Sequence, residues 1–152
     1  NMKIIFRFFL IIFFTFISTN LYAEFKEKLN GITEIALLIE ETDNKCGVKT
    51  RNIEAEVEYL INTYPGIKIN DSADHYLWIS TILFELDNDF ACSGTLLMRL
   101  QSFTAHEEKF VTVVFWEDYS GQINNPQDFS NTFLDKINKK IKIFLSDWSR
   151  DN

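Results

Sequence analysis

Residues 76–119 read YLWISTILFELDNDFACSGTLLMRLQSFTAHEEKFVTVVFWEDY, and this stretch decides the fold. It contains three long segments rich in β-branched and aromatic residues, which predicts three strands. Short polar runs separate these segments, Asp87 to Asp89 first and His106 to Glu108 second. Connections this short join antiparallel neighbours. The sequence therefore predicts a meander of strands at Tyr76–Leu86, Cys92–Phe103 and Phe110–Tyr119.

The segments on either side of the meander predict two helices and two further strands. Apolar residues recur at helical spacing from Thr50 to Tyr64, where Pro65 and Gly66 follow. A second helical stripe ends at Trp148 and starts after Asn125, a capping residue type that precedes a proline. The apolar run Ile35–Ile39 predicts a strand buried on both faces, and Ile67–Ile69 predicts a short strand.

The predicted element order is β-α-β-β-β-β-α, within a single domain that spans residues 24–152. Two amphipathic helices must bury their apolar stripes, and one face of the sheet is the natural place for both. The sequence therefore predicts an α+β fold with two layers. One layer is a mostly antiparallel sheet, and the other consists of the two helices packed on one of its faces.

The first 23 residues have the three-part order of a secretory signal peptide. Lys3 and Arg7 give a positive start, Phe8–Ile17 is almost wholly apolar, and Ala23 provides a small residue at the cleavage point. The apolar run is shorter than the about 20 residues that a stable membrane anchor needs, and a retained anchor is the alternative. We expect cleavage after Ala23, no stable membrane anchor afterwards, and a protein that is periplasmic or secreted from a bacterium.

Cys46 and Cys92 are the only cysteines, and both follow the predicted signal peptide. Thiols in an exported protein meet oxidising conditions and usually pair when they can reach each other. The sequence has no C-x-x-C motif and no histidine near either cysteine, which disfavours redox chemistry and metal binding. We expect a structural Cys46–Cys92 disulfide, with two free thiols as the alternative.

The chain is acidic, with a formal net charge of −7, and loss of Lys3 and Arg7 with the signal peptide would make it more so. Such a chain is repelled by phosphate backbones, so nucleic acid is not an expected partner. The five glycines form no phosphate-binding loop, and no G-x-S-x-G or comparable catalytic motif is present. We therefore predict no cofactor and no enzymatic activity.

The predicted meander has a second face that is rich in aromatic residues. The two predicted turns set the pairing: the residue numbers of facing residues add up to about 177 in the first hairpin and about 213 in the second. With this register, one face of the sheet is nearly all apolar, and we expect the helices to pack on it. The other face brings Leu97 and Arg99 between Trp78 and Trp116, with Tyr76 beside them. Trp, Tyr and Arg dominate binding hot spots, so these five residues are the candidate interface for a protein partner or a homodimer. The alternative is a half-exposed face held by cross-strand aromatic pairs.

The sequence contains only two histidines, and the meander would bring them to the same end of the sheet. His75 follows Asp74 at the start of the first long strand, and His106 follows the second. Imidazole and carboxylate groups can together hold a divalent transition metal. The spacing matches no ligand motif, so we predict no metal site and keep these three residues only as candidates.

Several short segments resemble a pattern found in small uncharacterised exported bacterial proteins. Residues 47–50 (GVKT) lead into a helix, residues 65–67 (PGI) lead into a strand, Trp116 lies in the last strand, and residues 147–148 (DW) close the last helix. The layout is also similar to the amino-terminal domain of the TolB envelope protein. This resemblance, over Ile35–Trp148, implies a helix-on-sheet fold and a cell-envelope setting, and it transfers no functional residue.

Three functional hypotheses follow from these features. The preferred one is a non-enzymatic accessory or protein-binding module that uses the aromatic face of the sheet. The second is a periplasmic inhibitor or immunity protein against a toxin or hydrolase, a role that suits a small, acidic, disulfide-bonded chain. The third is a metal-dependent enzyme built at the His75/His106 end of the sheet.

Overall fold

A computed structural model describes residues 29–40, 42, 45–86, 91–106 and 109–152, so the predicted signal peptide lies outside the described residues. The elements are β1 (Glu34–Ile39), a 3-10 turn (Lys45–Gly47), α1 (Thr50–Asn62), β2 (Lys68–Ile69), β3 (His75–Leu86), β4 (Ala91–His106), β5 (Lys109–Asn124) and α2 (Pro126–Asp151). The predicted α+β fold and its element order are confirmed. The domain boundary at residue 24 stays a prediction.

The five strands form one mixed sheet in the order β2-β1-β3-β4-β5. β1 is parallel to both of its neighbours, whereas β3, β4 and β5 form the predicted antiparallel meander. β2 pairs only with the first two residues of β1, and the Asn70 N–H donates to the Ile35 carbonyl at 2.9 Å. The chain can therefore pass around the start of β1 and enter β3 on its other side.

Both helices pack on the same face of the sheet, as predicted. α1 buries Ile53, Val57 and Ile61 against it. The buried residues of α2 are Phe129, Phe133, Ile137, Ile141, Phe144, Leu145 and Trp148. Because burying a side chain of this kind contributes about 1.5–3 kcal/mol, this single helix–sheet interface supplies most of the stability of the fold.

The last turn of α2 holds the first described residues of the chain. The Trp148 Nε1–H donates to the Ile32 carbonyl at 2.6 Å. The Asn152 side chain accepts from the Gly31 N–H at 2.7 Å and donates to the Leu29 carbonyl at 2.9 Å. The two ends of the domain are thus joined beside β1.

One flank of α2 is held to β5 by polar contacts. The Lys140 ammonium binds the Asp118 carboxylate at 2.7 Å, and the Trp116 Nε1–H donates to the Asp147 carboxylate at 3.0 Å. Lys136 donates to a backbone carbonyl of β5. The helix-facing side of β5 beyond Trp116 is therefore polar, although it lies under a helix.

The predicted register is confirmed for the first hairpin and wrong for the second. In the first hairpin His75 faces Ser102, as expected. In the second, Gln101 faces Val114 and Leu100 faces Trp116, with a bulge between these pairs. The strands run on to His106 and Lys109, so the connection is shorter than predicted. Because the strands are longer than predicted and contain a bulge, the numbers of paired residues do not add up to the predicted value of about 213.

The corrected register changes the position of Trp116. A bulge places an extra residue on one strand and so moves the following side chains to the opposite face. Trp116 lies on the helix side of the sheet, where its ring meets Phe144 edge-on with centroids 5.2 Å apart. The prediction that Trp116 shares a face with Trp78 and Arg99 is therefore wrong.

The prediction that β1 is buried on both faces is only partly correct. Ile35 is fully buried on the helix side, and Ala36 is buried on the other side. Leu38 is 46% exposed on that other side, because no described helix covers it. An apolar run in a parallel strand therefore does not require two covered faces here.

The predicted disulfide between Cys46 and Cys92 is confirmed. Both residues are buried, and their Cα atoms lie 5.8 Å apart, within the usual range for this bond. The bond joins the 3-10 turn to the start of β4. The Cys46 N–H also donates to the Glu85 carboxylate at 3.2 Å, so two separate contacts hold this turn against the first hairpin.

We expect the double variant Cys46→Ser/Cys92→Ser to be less stable by roughly 4 kcal/mol, the chain-entropy value for a closed loop of this length. Urea denaturation followed by circular dichroism would measure the loss. A reductant should lower the stability of the wild type toward that of the variant and leave the variant unchanged. Titration of two free thiols in the unreduced, folded wild type would contradict the pairing.

Substitutions at two glycines would distinguish the effect of backbone strain from that of a side-chain clash. Gly66 (φ +91°) and Gly31 (φ +80°) both have a backbone that L residues rarely adopt. A Cβ at Gly66 would lie 2.8 Å from Cη2 of Trp148, whereas one at Gly31 meets no atom within 4 Å. We expect Gly66→Ala to reduce the free energy of unfolding by about 1–3 kcal/mol more than Gly31→Ala, because only the former must displace the indole. Equal losses in denaturant titrations would show that this contact is not tight.

Candidate functional site: the outer face of the sheet

The side of the sheet opposite to the helices, here called the outer face, is not covered by any described helix. Alternate residues along a strand point to opposite faces, so the buried residues identify which set is which. The outer-face residues are Lys68 in β2, Glu34, Ala36 and Leu38 in β1, Tyr76, Trp78, Ser80, Ile82, Phe84 and Leu86 in β3, Ser93, Thr95, Leu97, Arg99, Gln101, Phe103 and Ala105 in β4, and Phe110, Thr112, Val114, Glu117, Tyr119, Gly121 and Ile123 in β5.

One end of the outer face is partly packed against itself. The Arg99 guanidinium lies 5.5 Å from the centroid of the Trp78 ring, as the first-hairpin register predicted, and forms an ion pair with Glu117. The rings of Tyr76 and Phe103 have centroids 5.7 Å apart. Stacking of a guanidinium on an indole contributes about 0.5–1 kcal/mol at an exposed site and more when water is excluded. A partner that covers this end would exclude water and so strengthen the existing contact between Arg99 and Trp78.

The other end of the outer face is also exposed. Its large apolar side chains are Ile82 (55% exposed), Phe84 (55%), Tyr119 (74%) and Ile123 (70%). Ser93 of β4 lies between Phe84 and Ile123, Thr95 lies between Ile82 and Gly121, and Leu97 faces Tyr119. Two strand spacings amount to about 10 Å, so Phe84 and Ile123 form the walls of a shallow groove along β4, with Leu97 and Tyr119 at one end.

The outer face carries little of the chain's net charge. Its described charged residues are Arg99 paired with Glu117, Lys68 paired with Glu34, and Glu40, which accepts a hydrogen bond from Ser80. These groups nearly neutralise one another, whereas the whole chain has a formal charge of −7. The acidity of the chain therefore lies mostly away from this surface.

The size of the outer face matches that of a protein interface. β3 has 12 residues and is about 40 Å long, and the four strands β1, β3, β4 and β5 together span about 15–20 Å. The surface is thus roughly 600–800 Å², close to the about 800 Å² that each partner contributes to a standard interface. The largest apolar patch on a monomer is usually about 300–600 Å² and is often functional.

The structure places four of the five predicted interface residues on the outer face. Tyr76, Trp78, Leu97 and Arg99 lie there, because the first hairpin has the expected register. Their role in binding stays a prediction. Sequence reasoning missed Ile123 and the continuation of β5 that carries it, since the predicted strand stopped at residue 119. The alternation of Tyr119, Gly121 and Ile123 was the available signal, but the glycine suggested a turn.

The predicted metal candidates are not brought opposite each other. His75 pairs with Ser102, and His106 lies four residues farther along β4, which is about 14 Å at the rise of a strand. The side chain of His106 lies outside the described residues, and the His75 ring packs against Phe115 with centroids 5.0 Å apart. Among the described residues, no group of three histidines, cysteines or carboxylates has a metal-binding arrangement.

A small cavity of about 250 Å³ lies next to His75 and is lined also by Asp74 and Glu34. Hydrogen bonds from Lys68 and Asn70 lower the pKa of Glu34 below its usual value. This carboxylate is therefore ionised and already has two partners. It is a poor proton donor at neutral pH, and on the cavity wall it is held in an ion pair with Lys68.

A larger concave region of about 540 Å³ lies between the end of α1 and the last turns of α2, where Leu60, Tyr64 and Lys142 contribute to its wall. Arg150 also lines it, but the guanidinium binds the carboxylates of two neighbouring aspartates on α2. Its charge is therefore largely compensated.

In the part of the chain that the structure describes, no helix has both the length and the apolar character to cross a membrane.

No family model and no curated protein matches the sequence of this chain. Among solved structures, the chain is similar to the hypothetical protein CT253 from Chlamydia trachomatis, with a TM-score of 0.50 and 7% identity over 80% of this chain and 100% of that one. A minor lipoprotein from Acinetobacter baumannii aligns with a TM-score of 0.43 (10% identity, 78% and 92% coverage). Rare lipoprotein B from Shewanella oneidensis aligns at 0.38 (9% identity, 76% and 94%).

At these identities the comparisons concern the fold alone. The match to CT253 shows that a bacterial protein of similar extent has a fold similar to this one. The two lipoproteins align less closely, and we draw no argument from them. The similarity to the amino-terminal domain of TolB stays a prediction.

Proposed function

We propose that this chain is a non-enzymatic exported protein that binds another protein through the outer face of its sheet. The observation that carries the proposal is the exposed apolar surface formed by Ile82, Phe84, Tyr119 and Ile123, which is continuous with the half-buried Trp78. Contiguous apolar surface of this extent is unfavourable in water and marks interaction sites in soluble proteins. A partner that covers it gains the free energy of removing it from water.

The disulfide supports an extracytoplasmic setting for this function. Buried disulfides persist in the periplasm and outside the cell, whereas the cytosol keeps thiols reduced. The Cys46–Cys92 bond thus agrees with the predicted signal peptide. Together they support a bacterial accessory protein that acts in the periplasm or is secreted.

The composition of the outer face supports binding rather than a merely half-exposed sheet. Trp78 and Arg99 belong to the residue types that dominate hot spots, and Tyr119 belongs to a third such type. They lie on strands in the middle and at one side of a sheet, which hold them rigidly. Rigid side chains lose little conformational entropy on binding, so most of the burial energy remains available for affinity.

The distribution of charge favours an accessory module over an electrostatically attracted inhibitor. An acidic inhibitor of a basic target would present its carboxylates at the binding surface to raise the association rate. On the outer face, the carboxylates of Glu34 and Glu117 are already paired with cations, and that of Glu40 accepts a hydrogen bond from Ser80. Binding here would depend mainly on apolar contact, with only a weak response to salt.

The proposal is tested by crosslinking and recovery of the tagged mature protein from its native cells, followed by mass spectrometry. The outer-face variant is Tyr119→Ser/Ile123→Ser. The matched control is Tyr59→Ser/Ile143→Ser, which removes the same two residue types from exposed positions on α1 and α2 (66% and 45% exposed). We expect one dominant protein partner with the wild type and the control, and an at least tenfold lower yield with the outer-face variant.

Thermal unfolding of each purified variant provides the control for folding. Equal recovery of the partner by the two variants would contradict the outer face as the binding site. Recovery of no other protein would contradict the proposed function itself. If the partner is a toxin or hydrolase whose activity the chain blocks, the inhibitor hypothesis replaces the accessory role.

A further inference from the structure

β5 forms one edge of the sheet and is long for such a position. It has 16 residues, and β4 is its only partner among the described strands. An edge strand presents a row of unpaired N–H and C=O groups, which proteins usually protect with charges, glycine or proline, bulges or a covering segment. The way in which β5 is protected therefore indicates whether this edge is kept free or used for pairing.

The second half of the β5 edge is protected. The Lys136 ammonium donates to the carbonyl of Gly121, and the Asp118 carboxylate accepts from the N–H of Tyr119 at 2.7 Å. Glu117 and Asp118 add two charges to this half. Each of these features opposes the addition of another strand.

Between Lys109 and the bulge at Phe115, the first half of the β5 edge has none of these features. Residues 110–116 read FVTVVFW, with no charge, glycine or proline and with a composition of high strand propensity. Among the described residues, no side chain or backbone group outside β4 donates to or accepts from the backbone of this segment. Phe110 is 86% exposed, and Val111 and Val113 are also exposed. This half is an open template for strand pairing.

The hairpin register identifies the backbone groups that are free to pair. His106 pairs with Lys109 across a two-residue connection, and such flanking pairs exchange both hydrogen bonds. Hydrogen-bonded and non-hydrogen-bonded pairs then alternate along the ladder. The N–H and C=O groups of Phe110, Thr112 and Val114 consequently point away from β4. A strand that adds to this edge would bind these three residues.

The open segment is complementary to itself. In an antiparallel pairing with a two-fold axis at Thr112, Phe110 of one copy faces Val114 of the other, and the two Thr112 residues face each other. Aromatic–β-branched and Thr–Thr pairs are among the stabilising cross-strand pairs, and no like charges meet. The bulge at Phe115 ends the regular ladder, so the pairing would cover residues 110–114.

We propose that two copies of this chain associate through antiparallel pairing of β5 at residues 110–114, which joins their sheets into one of ten strands. A contact of five residues per copy belongs to the class of small interfaces below about 1,200 Å², which form weak or transient complexes. The association is therefore reversible and depends on protein concentration. It uses a surface distinct from the apolar groove along β4 and does not rest on the proposed binding function.

Sedimentation equilibrium of the mature protein, from roughly 10 µM to 1 mM, tests this inference in the range expected of a weak interface. Thr112→Pro removes an N–H that points away from β4, a position at which edge strands tolerate proline. Thr112→Lys places two like charges at the two-fold axis. Asn131→Lys, an exposed position on α2, is the control with the same change in charge. We expect dimers for the wild type and the control, and an at least tenfold higher dissociation constant for both Thr112 variants.

A single added cysteine reports the geometry independently, because both native cysteines are already paired. Thr112→Cys is expected to form a covalent dimer on mild oxidation, since facing residues at the axis have Cα atoms about 5.5 Å apart. Asn131→Cys should not. The inference is overturned if the wild type stays monomeric over the whole range, or if the Thr112 variants dimerise as it does. A dimer lost instead in Tyr119→Ser/Ile123→Ser would assign self-association to the outer face and overturn pairing through β5.

Discussion

The close approach of α2 to β4 at Gly94 is the contact on which the rest of the structure depends. A Cβ at this position would lie 2.8 Å from the Phe129 ring, 2.9 Å from Leu83 and 3.0 Å from the Phe133 ring. The absent side chain lets two stacked phenylalanines pack directly on the strand backbone. Interiors this dense tolerate little change in volume. Once α2 occupies this side of the sheet, and α1 packs beside it, no further helix among the described residues covers the other side.

The elements were predictable from sequence because their periodicities are strong, and their ends were not. β5 continues through residues 120–124, where Gly121 lies among the polar residues Ser120, Gln122 and Asn124, so the segment resembles a loop. Gln122 and Asn124 are polar because they face α2, where both donate to the Thr132 hydroxyl. A sequence shows which residues are polar but not what they face. The same limit hid the bulge that turns Trp116 toward the helices, since a shift of one residue exchanges the two faces of a strand.

The candidate site was predictable to the extent that the first hairpin was. A tight connection fixed the register of β3 and β4, so the neighbouring positions of Trp78 and Arg99 followed directly. The residues of β5 depended on the second hairpin: Thr112 and Val114 were assigned to the correct face, Trp116 was misplaced, and Ile123 was missed. The open half of the β5 edge could not be predicted from the sequence, because the order of the strands in the sheet determines which of them lie at its edges. Strand order depends on the parallel pairing of β1, which arises from contacts far apart in sequence.

The hydrogen bond from Trp148 to Ile32 has a consequence for the time at which the domain can fold. These residues are 116 positions apart, and one lies in the last helix while the other precedes the first strand. Domains made on ribosomes or threaded through membranes emerge with the amino terminus first. Here β1 can pair with β2 and β3 early, but the residues before it gain their contact with Trp148 only after α2 has emerged. The contact that joins the first described residues to the rest of the domain is therefore among the last to form, and the fold is completed only after α2 has been made.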